Sequence, residues 1–261
     1  FTSDFSVQNG ALLDRQSKVE LSDINLNGSF SNVSKRLVVQ SFSTKLKEHF
    51  IKGDFSINGF HNPLISSNLT GNISLDKIAF FINSPETILV GNSTFDVQLK
   101  TQKIDENYRI KDINGDVSIS EGKASFITKQ IDVDFDELHC TLLDTDMKII
   151  GNRVNYQSDL LDFSINISNW IDVFFEKSKT ITVDGNMNFD LLSTSVWTDF
   201  FNKFDASEDT NSSVEVQINK LKLDVNTLHF NKALFHDVEI QHLEIKEQID
   251  LHHVKAKGQG G

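Results

Sequence analysis

Ile181-Thr-Val183-Asp-Gly-Asn-Met187-Asn-Phe189-Asp-Leu191 alternates strictly: every odd position except Gly185 is apolar and every even one is polar. Side chains two apart on a strand share a face, so this segment reads as a strand with one apolar side and one wet side. Phe95-Asp-Val97-Gln-Leu99-Lys has the same pattern, and so does Val214-Glu-Val216-Gln-Ile218-Asn. Leu221-Lys-Leu223-Asp-Val225-Asn repeats it after a phase slip across Asn219-Lys220, the mark of a turn or a bulge. One-sided strands of this kind belong to antiparallel sheets with a solvated face, because strands of buried parallel sheets are continuously apolar. The expected fold is mainly β: a long antiparallel meander forming a curved, groove-like sheet, with a β-sandwich as the alternative.

A loose repeat runs through the same strands. Gly53-Asp-Phe-Ser-Ile57, Gly71-Asn-Ile-Ser-Leu75, Gly115-Asp-Val-Ser-Ile119 and Gly185-Asn-Met-Asn-Phe189 share the order Gly-polar-apolar-polar-apolar. Gly28-Ser-Phe-Ser and Gly122-Lys-Ala-Ser-Phe126 are weaker copies. Glycine at such points is expected at strand entrances, where its φ freedom serves a turn or bend. The spacing is irregular, so the repeat does not describe a solenoid of fixed period.

Two stretches leave the β pattern. In Ser195-Val-Trp-Thr-Asp-Phe-Phe-Asn-Lys-Phe204, Val196, Trp197, Phe200, Phe201 and Phe204 fall at helical spacing. In Asn169-Trp-Ile-Asp-Val-Phe-Phe-Glu-Lys177, Trp170 precedes Phe174 by four and Ile171 precedes Phe175 by four. Short amphipathic helices are expected near 169–177 and 195–204, with Asn169 and Ser195 as N-caps. Trp170, Phe174, Trp197, Phe200 and Phe201 are then an end plug for the sheet or a contact with a membrane surface or partner. Residues 205–213, Asp-Ala-Ser-Glu-Asp-Thr-Asn-Ser-Ser, read as a polar loop. It divides a β-rich body with short helices (1–204) from a C-terminal all-β segment (214–261) that closes the same sheet.

Composition narrows the function. The 261 residues carry 25 Lys+Arg against 37 Asp+Glu, a formal net charge of -12. That balance argues against nucleic acid, whose phosphates need a basic face, and against docking on anionic lipid through a polybasic patch. No run of about 18–20 apolar residues is long enough to span a bilayer. The single Cys140 excludes an internal disulfide and a cysteine-based zinc site. The chain opens at Phe1 without a signal pattern, and is expected to be a piece cut from a longer protein. Among its aromatics, 21 are Phe and only 2 each are Tyr and Trp, so the apolar side is broad and almost free of polar tips.

No familiar catalytic motif is present: there is no G-x-x-x-x-G-K-[ST], G-x-S-x-G or H-E-x-x-H. Asp132-Val-Asp134-Phe-Asp136 imitates the start of a calcium loop, but Glu137 stands where the glycine is needed and Leu143 where the bidentate Glu is needed. Ile131, Val133 and Phe135 alternate with those carboxylates, so a strand with an acidic wet side is expected. His252-His253 and His139-Cys140 are adjacent pairs, which a strand points to opposite faces, so neither makes a chelate or a dyad. A non-catalytic protein with no cofactor and no metal is the expectation.

The last fifty residues carry a resemblance. Val214-Glu-Val-Gln-Ile-Asn-Lys-Leu-Lys-Leu-Asp-Val-Asn-Thr-Leu-His-Phe-Asn-Lys-Ala-Leu-Phe-His-Asp-Val-Glu-Ile-Gln-His-Leu-Glu-Ile245 leads into Lys246-Glu-Gln-Ile-Asp-Leu-His-His-Val-Lys-Ala-Lys-Gly-Gln-Gly-Gly261. It resembles the C-terminal region of AsmA-family envelope proteins, in which a Leu-x-Leu strand and an Asp-Val-x-Ile strand precede a closing strand that ends in glycines. Gly53 to Leu75 and Asp136 to Gly151 have the same character. The resemblance implies a module of the Gram-negative periplasm, attached to the inner membrane through a segment absent here. It also implies kinship with bridge-like lipid-transfer proteins, and so a role in phospholipid transport or outer-membrane assembly with envelope assembly proteins as partners.

The residues alone lead close to that reading. A sheet with one apolar side must cover it with a second layer or curl it around something apolar, and two short helices cannot cover it all. The expected ligand is a phospholipid or other acyl lipid held in an apolar β groove. Its candidate lining, chosen by phase, is Phe55, Ile57, Ile73, Leu75, Phe95, Val97, Leu99, Met187, Phe189, Leu191, Val216, Ile218, Leu221 and Leu223. The alternative is a β-sandwich adhesion or scaffold module whose Asn/Ser surface meets proteins or glycans.

Overall fold

The computed structural model describes residues 1–13, 20–76, 87–104, 107–174, 179–205, 215–245 and 249–258. Ten strands come first: β1 (Thr2–Leu13), β2 (Glu20–Ser31), β3 (Arg36–Leu46), β4 (His49–Asn58), β5 (Leu64–Ser74), β6 (Thr87–Ile104), β7 (Asn107–Phe126), β8 (Ile131–Leu143), β9 (Asp146–Tyr156) and β10 (Asp159–Ser168). Helix α1 (Trp170–Phe174), β11 (Thr180–Ser193) and helix α2 (Thr194–Asp205) follow, then β12 (Glu215–Phe230), β13 (Ala233–Ile245) and β14 (Ile249–Gly258). Among the described residues the fourteen strands form a single sheet in chain order, from β1 at one end to β14 at the other. The chain is thus a mainly β meander, and the described residues contain no second sheet of the kind a sandwich needs.

One junction departs from the expected antiparallel order. β11 and β12 are parallel, whereas every other described register is antiparallel. Parallel neighbours need a crossover of about a dozen residues or more, and α2 lies in that connection. The phase slip at Asn219-Lys220 is a bulge inside β12, not a turn: Val183 faces Ile218, while Asp184 faces Lys220. The polar loop expected at 205–213 lies, from residue 206 onward, outside the described residues, as does the end of the first expected helix at 175–177.

Two units divide the chain. One comprises Phe1–Ser74, Asn92–Ser118 and Leu142–Asp144, and the other Leu75–Gly91, Ile119–Thr141 and Thr145–Gly261.

The glycines of the repeat lie within strands rather than at their entrances, which corrects the expectation. At Gly28 and Gly71, and at Gly151 outside the repeat, a phenylalanine from a neighbouring strand lies across the glycine. Phe5 faces Gly28, Phe95 faces Gly71, and Phe163 faces Gly151. A Cβ at these glycines would stand 2.7, 3.0 and 2.4 Å from the facing ring. The ring occupies the room that the glycine leaves, so the pair fills one site with one side chain. A Cβ at Gly28 or Gly71 would also strike a backbone carbonyl, of Val38 or Phe50, as one at Gly115 or Gly185 would strike that of Asp96 or Ser164; the last two differ in their φ angles of +141° and +144°, which suit only glycine.

Bulges keep the phase of the other strands. Asn9, Arg153 and Asp237 take left-handed φ angles at register shifts. The extra N–H of Asn9 donates to Asn25 Oδ1 at 3.1 Å, and that of Arg153 to Asp162 Oδ1 at 2.6 Å. The abundance of Asn has a related explanation on the wet side. Asn27 donates to Ser41, Asn68 to Asp54, Asn166 to Asp184 and Asn226 to Asp190, each across neighbouring strands. Such cross-strand pairs are worth about 0.2–1 kcal/mol each.

Gly122 has the tightest ring contact. A Cβ there would lie 2.0 Å from ring atoms of Phe135, a buried residue. Gly122→Ala is expected to destabilise the fold by about 1–3 kcal/mol through overpacking. In urea unfolding the loss should shrink when Phe135→Leu is added, giving a positive coupling in the double-mutant cycle.

Candidate functional site

Register assigns the apolar side in each unit. In the first, β4, β5 and β6 align Ile57 with Ile65, Phe55 with Ser67 and Leu99, Gly53 with Leu69 and Val97, and Gly71 with Phe95. Directly opposed residues share a face, so Phe55, Ile57, Ile73, Phe95, Val97 and Leu99 lie on one side. Pairing with β3, β2 and β1 extends this side to Leu37, Val39, Phe42, Leu26, Phe30, Phe5 and Val7, none of which sequence phase had picked out. Bulges in β1 to β3 break the alternation there, and that is why a period-two reading passes over them. Most of these side chains are half-buried; Val39 and Ile73 are buried. Phe42 and Phe55 meet edge to face at 6.0 Å. Along β6 the opposite side is exposed and polar: Asn92, Thr94, Asp96, Gln98 and Lys100.

In the second unit a single row crosses five strands. Val154, Leu161, Phe189, Val225 and Val238 are successive register partners, and all are buried. One step along lies a half-buried row of Phe163, Met187, Leu223 and Ile240. Leu221 and Ile218 follow on β12, the first buried and the second half-buried. Leu191 is also half-buried, Leu75 is buried just past β5, and Val216 is 52% exposed.

Helix α2 packs on the β11 and β12 part of the buried row. Trp197 meets Phe189 edge to face at 5.6 Å and Tyr156 at 6.0 Å. Phe189, assigned by phase to a ligand-facing lining, therefore lies beneath an indole, and Trp197 is part of the hydrophobic core. The helix begins at Thr194, one residue before Ser195, and the residue preceding it is anchored from below. Asp159, 0% exposed, accepts the Ser193 N–H at 2.8 Å and the Ser193 hydroxyl at 3.1 Å. Helix α1 touches β9 and β11 and buries Ile171, while Trp170 is half-buried and the Asn169 carbonyl accepts the Val173 N–H. Phe174, Phe200 and Phe201 belong to these helices, and their side chains lie outside the described ones.

β8 turns Ile131, Val133 and Phe135 inward and leaves Asp132, Asp134 and Asp136 exposed. His139 Nε2 lies 3.3 Å from Thr141 Oγ1, two residues on. Among the described residues no three His, Cys, Asp or Glu gather as a metal site. A carboxyl pair does occur in the first unit: Asp112, bonded to Lys100 and Asn114, shares a hydrogen bond with Asp144. The Lys100 ammonium holds Asp112 below the usual carboxylate range, while the hydrogen bond and charge of Asp112 push Asp144 up. On the wet side of the same unit, Ser6, Asn9, Asn25, Asn27, Lys52 and Asp54 border an open depression of about 660 Å³.

The chain matches no protein family, no curated protein and no solved structure.

Two measurements check this geometry. Asp159→Ala strands the Ser193 N–H and loosens α2, and should cost about 1–3 kcal/mol in urea unfolding. Its tryptophan fluorescence should shift to the red before the sheet melts. Asp144 has a raised folded pKa, so its favourable contribution exists at low pH and is lost as pH rises through that value. Asp144→Asn should therefore raise Tm at pH 7, with the gain vanishing below the carboxylate range, which paired thermal melts would reveal.

Proposed function

We propose that this chain is a non-catalytic lipid-holding module, whose apolar sheet side receives the acyl chains of a phospholipid or similar lipid. The observation that carries the reading is the half-buried state of the registered rows Phe55–Leu99 and Phe163–Met187–Leu223–Ile240 on a single sheet. Only α1 and α2 add layers to that sheet among the described residues. Apolar surface left in water costs about 25 cal/mol per Å², and each methylene that an acyl chain buries contributes about 0.8 kcal/mol. Phenylalanine and branched aliphatics supply such a surface with no polar atom to satisfy. The opposite side, bearing Asn, Ser and carboxylates, keeps the sheet soluble.

The resemblance to AsmA-family proteins supplies the setting for this reading. The module belongs in the periplasm as part of an inner-membrane-anchored protein, where it serves phospholipid transport or outer-membrane assembly alongside envelope assembly proteins.

Native mass spectrometry and organic extraction of the purified chain test it. Stoichiometric acyl lipid is expected, and a lipid-free protein overturns the reading. Phe189 is a poor probe, because an aspartate under Trp197 would disrupt the core. Leu99→Asp and Met187→Asp alter half-buried positions instead. Both should lose lipid while retaining far-UV circular dichroism and cooperative unfolding.

A further inference from the structure

Two connections meet at one end of the first unit. Residues 32–35 join β2 to β3, and residues 59–63 join β4 to β5. Arg36 faces Asn58 where the strands end, and the Gly59 N–H donates to the Lys35 carbonyl at 2.9 Å, so the two are tied together. Pro63 is buried, and its carbonyl accepts the Lys103 N–H at 3.0 Å. Both tips show apolar side chains to solvent: Val33 is 81% exposed and Phe60 42%. Phe60 stacks flat on Phe30 at 5.6 Å, and Phe30 heads a registered row with Leu37, Ile57 and Ile65. The exposed tips therefore run on into the apolar side of β2 to β5.

Charge at this end departs from that of the whole chain. Lys35 and Arg36 are exposed, and neither pairs with a carboxylate among the described residues. Along β2 to β5 the carboxylate nearest these connections is Asp54, four residues before Asn58 and about 13 Å along the strand. Beyond β6 the sequence turns acidic at Asp105-Glu106, outside the described residues. The turn at the other end of β3 and β4 is balanced, with Glu48 directly after Lys47. Exposed charges farther apart than about 8 Å are largely screened at physiological ionic strength. The net charge of -12 thus argues against a broad basic face, and leaves these two cations to act locally.

We propose that these two connections dock the chain on a bilayer surface that contains anionic phospholipid. Val33 and Phe60 enter the acyl boundary, while Lys35 and Arg36 meet the phosphates with their stems along the apolar tips. A polyanion in water would answer the cations and leave Val33 and Phe60 wet; a bilayer answers both. In the lipid-holding reading, lipid would pass from this contact to the apolar side by way of Phe60 and Phe30. The contact itself does not depend on that reading.

Vesicle flotation of the whole chain is the test. Binding is expected on vesicles of phosphatidylcholine and phosphatidylglycerol in equal parts, and little on phosphatidylcholine alone. Lys35→Ala with Arg36→Ala should weaken it about 25-fold, at about fivefold per cation. Val33→Asp, at an exposed turn position, should weaken it about tenfold or more with an unchanged far-UV spectrum. A polarity-sensitive dye on Val33→Cys, in a Cys140→Ser background, should shift to the blue on the mixed vesicles, and the same dye on Glu48→Cys should not. No flotation on the mixed vesicles, flotation that survives all three substitutions, or an equal blue shift at both dye positions overturns the proposal. A chain that floats but extracts without lipid keeps the contact and removes the lipid-holding reading; one that extracts with lipid but does not float does the reverse.

Discussion

Neighbouring strands must turn their apolar residues to the same side, and most of this structure answers that demand. Directly opposed residues share a face, so one slipped residue would send a whole strand's apolar set into water. The row from Val154 to Val238 keeps its side through four junctions, including the parallel one. Bulges do the correcting where the sequence drifts. Arg153 lets Gly151 and Val154 face Phe163 and Leu161, and the bulge at Asn219 lets Ile218 and Leu221 face Val183 and Gly185. Asn25 and Asp162 accept the bulged N–H groups of Asn9 and Arg153, which makes those two corrections inexpensive.

Packing on the apolar side is uneven, and the unevenness separates core from candidate surface. Where α2 lies, Trp197, Tyr156 and Phe189 close over the row, and the buried Asp159 ties down the helix start. A carboxylate inside an apolar layer is tolerable because it accepts both a backbone N–H and a hydroxyl. Beyond the helix the same strands continue with half-buried Met187, Leu223 and Ile240. Function is best sought there, since a buried row has no free surface to offer.

On the wet side several carboxylates accept hydrogen bonds from asparagines on the next strand, and Asp159 is a buried exception. The negative charge of the carboxyl pair Asp112 and Asp144 is partly answered by Lys100. The proposed acyl-lipid role rests on the half-buried rows and the cost of wet apolar surface.

Alternation in residues 181–191 and 95–100 was enough to establish a β chain with one apolar side, and helical spacing around Trp197 was enough to place α2. Both are local properties, written into residues that touch through a single strand or turn. The parallel pair, the glycines inside strands and the burial of Phe189 were not legible, because each depends on what the next strand or helix brings. Phase says that Phe189 and Met187 share a face; only the seat of Trp197 says that one is buried and the other half-buried. Likewise a glycine looks like a turn until a neighbouring phenylalanine, distant in sequence for Gly71 and Phe95, lies across it. Periodicity reports the side of a sheet, and the identity of the neighbour is decided by pairing between segments far apart along the chain.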